Sequence, residues 1–175
     1  MRVTSRIALL AILSALVLLP HARPADAYEI KLCEHCRRIW DDSPSRIRGN
    51  ADANGRPKQI YVCSPYCLAE VLQAKSHYKL ETVQIVHWDE RAELKPILLN
   101  TANAKFLISV KDEQDESHDP DIAAFRTDKQ LSSAKANVGG TTITWAKIME
   151  KCKKLAAESE DEEDSDYSPL HFRKY

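Results

Sequence analysis

Glycine is scarce in this chain: four residues among 175, at positions 49, 55, 139 and 140. They form no glycine-rich phosphate loop, and the chain holds no Gly-x-Ser-x-Gly elbow and no His-Glu-x-x-His pair. The enzyme classes with the best-marked sequence signatures are therefore not indicated. Charge of one sign is also lacking. Twenty-five basic against 26 acidic residues leave a formal net charge of −1. A nucleic-acid partner, which needs a strongly basic face, is not expected. The longest apolar run, Ile7 to Leu19, is too short to span a bilayer, which takes about 20 residues. Methionine is nearly absent, with Met149 the only one after Met1.

The short apolar run has a context of its own. Arg2 and Arg6 precede it, Pro20 breaks it, and Ala25-Asp26-Ala27 supplies small residues at the −3 and −1 positions of a cleavage site. This is the pattern of a secretory signal peptide spanning residues 1–27, with no stable membrane anchor left after its removal. A periplasmic or secreted protein beginning at Tyr28 is the expectation. With 43% hydrophobic and 29% charged residues, a folded chain is expected. Residues 28–157 suffice for one domain. Seven of the nine residues from Glu158 to Asp166 are acidic, and 158–175 reads as a disordered tail.

The elements expected between these limits give an α+β chain. Residues 41–58, with Pro44, Gly49, Asn54-Gly55 and Pro57, read as a long loop or a loosely paired hairpin. Gln59 to Val62 is a strand. Ser64 and Pro65 start an amphipathic helix that reaches His77. Strands follow at 82–88, 105–110 and 122–125. Thr127 caps a helix over 128–137 that Gly139-Gly140 ends, and a strand at 141–144 precedes a last helix over 145–157. Strand, helix and strand thus succeed one another at about 59–88 and again at 122–144. A small two-layer fold of two related β-α-β halves accounts for this, as does the common β-α-β succession without duplication.

Cysteine carries the chemistry. Cys33-x2-Cys36 and Cys63-x3-Cys67 are two short-spaced pairs separated by 26 residues, the sequence form of a four-thiolate metal knuckle. A tight turn aims two sulfurs at one ion, and a second pair from a distant part of the chain closes the coordination sphere. Cys67, in the first turn of a helix, gains thiolate character from the helix dipole. Two other readings stay open. An exported protein favours disulfides, although five cysteines leave one unpaired. A redox site at Cys33-Glu34-His35-Cys36 would need a helix after it, and Arg37 to Asp42 is a poor helix start. His35 and His118 read as solvated loop residues, His77 and His87 as ordinary ones, and Cys152 as a buried inert thiol on a helix.

Several features together resemble the NosL family, exported copper-binding accessory proteins of nitrous oxide reductase, and the wider group of heavy-metal-sensing cysteine modules. They are Cys33-x2-Cys36, Tyr61-Val62-Cys63-Ser64-x2-Cys67-Leu68, Asn103-Ala104-Lys105-Phe106 and Ala124-Phe125, followed after a helix by Gly139-Gly140 and a strand. The resemblance spans about residues 33–150. It implies two related halves and a copper(I) chaperone or metal-handling role, with a metalloenzyme or metal transporter as acceptor. Two departures bear on the metal. Arg38 stands where the family commonly has a methionine, and Ser117-His118-Asp119-Pro120 occupies the later loop where another is common. Thioethers select Cu(I), whereas four thiolates suit zinc equally. A structural zinc-binding interaction module is the alternative, and a disulfide-bonded extracellular protein without metal is the third.

Overall fold

The computed structural model describes residues 29–93, 95–110, 112 and 120–163. Residues 1–28, which include the segment expected to be a signal peptide, the loop around His118 and residues 164–175 lie outside them. Among the described residues no helix is long and apolar enough to cross a membrane.

Strands β1 (Ile47–Ala53) and β2 (Pro57–Val62) form an antiparallel hairpin in continuous register from Ile47↔Val62 to Asp52↔Pro57. Asn54 (φ 57°) and Gly55 (φ 80°) make its two-residue turn, and positive φ at both central residues matches the right-handed twist of the strands. The segment 41–58 is therefore half loop and half paired strand, and β1 is an interior strand of its sheet. Helix α1 (Pro65–Ala74) leads to β3 (Tyr78–Val86), which pairs with the other edge of β1. Short β4 (Leu98–Asn100) closes a sheet of order β2-β1-β3-β4.

The second half repeats the arrangement. Strand β5 (Lys105–Ile108) is central, β6 (Ile122–Phe125) and β7 (Thr141–Ile143) flank it antiparallel, and helix α2 (Asp128–Val138) connects the two flanks. In both halves the strand that comes first takes the middle and the next two run parallel to each other on either side. Each strand-helix-strand succession is thus split by an antiparallel strand from just before it. The fold is α+β with two such halves.

Helix α2 begins with a capping box between Thr127 and Gln130 and ends at Gly139 (φ 76°). Helix α3 (Trp145–Glu163) runs six residues past the expected end at Ala157. It lays Ile148, Cys152, Leu155 and Ala156 inward and packs along α1. The main core takes Ile47, Ile60, Val62 and Ile85 from the first sheet and Phe106, Ile108, Ile122 and Ala124 from the second. It also takes Leu68 and Val71 from α1. A smaller cluster of Leu107, Ala123, Phe125 and Leu131 fills the opposite face of the second sheet, beneath α2. Strand β6 is accordingly buried on both faces.

Candidate metal centre

The first cysteine pair sits on a tight reversal of the chain. Leu32 and Ile39 form an isolated antiparallel bridge, and Trp40 N donates to Lys31 O at 2.8 Å. Inside that bridge Cys33 N donates to Arg38 O at 2.8 Å and Arg37 N to Cys33 O at 3.1 Å. Arg37 adopts a left-handed φ of 63°, a conformation that costs a residue with a Cβ about 1–2 kcal/mol. No helix starts at the cysteine pair, since a single 3-10 turn at Trp40–Asp42 is all that follows before β1, and the geometry of a redox Cys-x2-Cys at a helix start is absent. Glu34 ties the turn down. Its N–H donates to Tyr61 O at 2.8 Å, and its carboxylate, 14% exposed, meets Lys58 at 3.3 Å and Lys75 at 2.8 Å. That hydrogen bond raises the pKa of the Lys75 ammonium.

The second pair joins a strand to a helix. Cys63 directly follows β2. Ser64 is the N-cap of α1, with its Oγ accepting from Cys67 N at 3.2 Å and Pro65 in the first turn. Cys67 therefore lies in the first helical turn, facing the first pair.

These elements bring Cys33, Cys36, Cys63 and Cys67 together, with all four Sγ atoms within 4.8 Å of one another. Cys63 Sγ lies 3.3 Å from both Cys36 Sγ and Cys67 Sγ. No disulfide joins any of the five cysteines, all of which lie among the described residues. Cys33 and Cys67 are buried, at 0% and 5% exposure, while Cys36 and Cys63 are half-buried. The thiols share protons. Cys63 and then Cys67 hydrogen-bond to the Cys33 sulfur, which holds its pKa well below the ordinary thiol range. The same bonds to Cys33 push Cys63 up to about 12 and Cys67 higher still, with burial adding to both.

The cluster fits a thiophilic ion. Tetrahedral coordination with metal–sulfur bonds of about 2.3 Å separates the sulfurs by about 3.8 Å. The spacings here, from 3.3 Å contacts to 4.8 Å at most, bracket that value. Four soft donors without an oxygen or nitrogen among them suit Zn(II) or Cu(I) and disfavour hard cations.

No family model matches the chain, and no curated protein matches it. Among solved structures it is similar to the crystal structure of the copper chaperone NosL from Shewanella denitrificans. The identity is 16% and the TM-score 0.46, over 71% of this chain and 96% of that one. A likeness at that TM-score carries nothing further about this chain.

Of the other residues singled out in the sequence, His35 is exposed beside the site, its ring edge-on to Tyr66 at 6.1 Å between centroids. Cys152 is fully buried in the main core. His87 is buried against Phe125, and neither of its ring nitrogens has a hydrogen-bond partner among the described residues. Arg46, which the sequence does not mark, is 2% exposed. Its Nη1 donates to the carbonyls of Asp41 (2.5 Å), Ser43 (3.3 Å) and Arg91 (3.2 Å), and its Nη2 to that of Glu93 (2.7 Å). Arg46 also lies over the Trp40 ring at 5.8 Å. It thereby binds the loop before β1 to the one before β4. Ser43, in the first of those loops, donates from Oγ to the carbonyl of Cys63.

Proposed function

We propose that this chain is an exported, non-enzymatic metal-binding protein that holds Cu(I) or Zn(II) on Cys33, Cys36, Cys63 and Cys67. The observation that carries the reading is the convergence of four sulfurs from two distant segments, all within 4.8 Å. Four thiolates gathered so closely would repel one another, and a cation relieves that repulsion. The half-exposure of Cys36 and Cys63 supports a handling role, in which the ion is cargo taken up and passed to an acceptor by ligand exchange. Export rests on the sequence pattern of residues 1–27.

A second reading is a purely structural zinc. It is favoured by Cys33 and Cys67, which belong to the main hydrophobic core. The two readings separate on one variant. Under the handling reading Cys63→Ser loses metal yet keeps a cooperative thermal transition. Under the structural reading the same change melts the region, because metal binding and folding are one event. Elemental analysis of the protein from an exporting host, with a thiol count after denaturation in chelator, tests both. About one ion per chain and five free thiols support metal binding. No metal and a single free thiol would mean two disulfides and would end both readings.

A further inference from the structure

A cleft of about 590 Å³ opens beside one of the four cysteines and not the others. It is lined by Arg38, Ile39, Asp42, the Ser43–Ser45 loop, Cys63, Ser64, Pro120 and Asp121. Both walls are fixed. On one side Ser43 is bonded to the Cys63 carbonyl and held by Arg46, as above. On the other, the buried carboxylate of Asp112 accepts from Asp121 N at 3.1 Å and from Ser109 Oγ at 2.5 Å. The mouth is charged, with Arg38, Asp42 and Asp121 all exposed. Of the two half-buried cysteines only Cys63 borders this space.

We infer that the cleft is the route by which metal leaves the site, and that its occupant is a cysteine thiolate on a short extended peptide of the acceptor. The inference rests on the metal-binding reading above and names the face through which exchange occurs. A space of this size matches small-ligand sites, so it admits a peptide of a few residues and not a folded domain. The ion at Cys63 is held by soft sulfur donors, so the group that replaces that ligand is a thiolate and not an oxygen or nitrogen donor. In the exchange, the incoming thiolate forms its sulfur–metal bond as the Cys63–metal bond breaks. Cys63 leaves as a thiolate and takes a proton from water, and no electron changes hands. Cys33 and Cys67, buried in the core, are the last ligands to let go.

The test uses the full chain loaded with Zn(II) and glutathione, a cysteine-bearing tripeptide, as the probe. Zinc release is followed with a chromogenic chelator. Asp42→Trp and Asp121→Trp fill the cleft from exposed positions, and His35→Trp adds the same bulk next to Cys36 outside the cleft. The cleft variants should slow glutathione-driven release at least tenfold, with His35→Trp close to the parent and all melting temperatures similar. Zinc bound normally but released at one rate by every variant, or slowed only by His35→Trp, overturns the route and leaves the metal reading standing. No zinc bound by the parent overturns both. A second measurement needs no variant. In the metal-free native chain at alkaline pH, where part of Cys63 is ionised, N-ethylmaleimide should label Cys63 and a polymer-linked maleimide too large for the cleft should not, as read by mass spectrometry of peptides. Equal labelling of Cys63 by both reagents also overturns the proposal.

Discussion

A single buried guanidinium illustrates how much one residue can hold. Among the described residues no carboxylate pairs with Arg46, and its guanidinium donates to four backbone carbonyls in two loops. The planar guanidinium reaches acceptors in two loops from two separate nitrogens with fixed donor directions, whereas a lysine ammonium has three donors on a single nitrogen. Arg46→Lys should therefore cost about 1 kcal/mol or more, because part-buried carbonyls lose a charged donor. Urea denaturation of the metal-free protein would measure it, and a loss under 0.5 kcal/mol would contradict the role given to Arg46. The cysteines make a prediction of a different kind. With Cys33 held low as the acceptor of its neighbours' protons, Cys63 and Cys67 are thiols at pH 7. Binding as thiolates must expel both protons, so loading one ion should release at least two. Protons compete with the metal, so affinity should rise with pH over the neutral range and fall on acidification. Calorimetry in buffers of different ionisation enthalpy counts the protons, and fewer than two would mean that Cys63 or Cys67 is not a ligand.

Among the elements, the junction between α2 and β7 is the most sharply constrained. Gly140 has a φ of 101°, and a Cβ there would stand 2.6 Å from the Ile108 carbonyl oxygen and 3.1 Å from the Leu107 side chain. The obstruction includes backbone of the central strand β5, which cannot step aside as a side chain tip would. Gly140→Ala should destabilise by at least about 2 kcal/mol, from backbone strain plus the displaced strand. Thermal denaturation showing an unchanged transition would refute it. That glycine, like Thr127 and Ser64, was readable in advance, because caps and turn residues act through local geometry. Ile122–Phe125 was equally legible from its unbroken apolar run. Strand β1 was not. Its sequence, Ile-Arg-Gly-Asn-Ala-Asp-Ala, is poor in strand formers, and it is a strand because β2 and β3 hydrogen-bond to both its edges. The overrun of α3 to Glu163 has the opposite cause: its acidic end reads as a solvated tail, yet helix propensity carries the chain on from a well-anchored start. At the site, spacing pointed to the four cysteines. It could not show that Glu34 pins the first turn through Lys58 and Lys75, or that Ser43 and Arg46 build a cleft wall, because those partners lie 20 to 47 residues away along the chain.

At the scale of the whole molecule, the two halves share a topology but not a boundary. Ile47, Ile60 and Ile85 of the first sheet and Phe106, Ile108 and Ile122 of the second belong to one continuous core. Helix α3, which follows the second half, covers α1 of the first. Neither half can then unfold without exposing the apolar face of the other. At about 25 cal/mol per Å² that exposure costs several kcal/mol, more than a small half would retain by itself. The chain should therefore unfold in one cooperative transition, despite its internal repetition. The four cysteines all belong to the first half, between Cys33 and the start of α1. An ion bound there stabilises only the native state, by RT ln(1 + [L]/Kd), or about 2.7 kcal/mol at a hundredfold excess over Kd. If the core is shared, that stabilisation spreads to the second sheet. Hydrogen exchange of the slowest amides in β5 and β6 should then slow on zinc loading by the same factor as those in β1 and β3. Protection gained in the first sheet alone, or two separate thermal transitions, would show that the halves are independent units and that the metal secures only one of them.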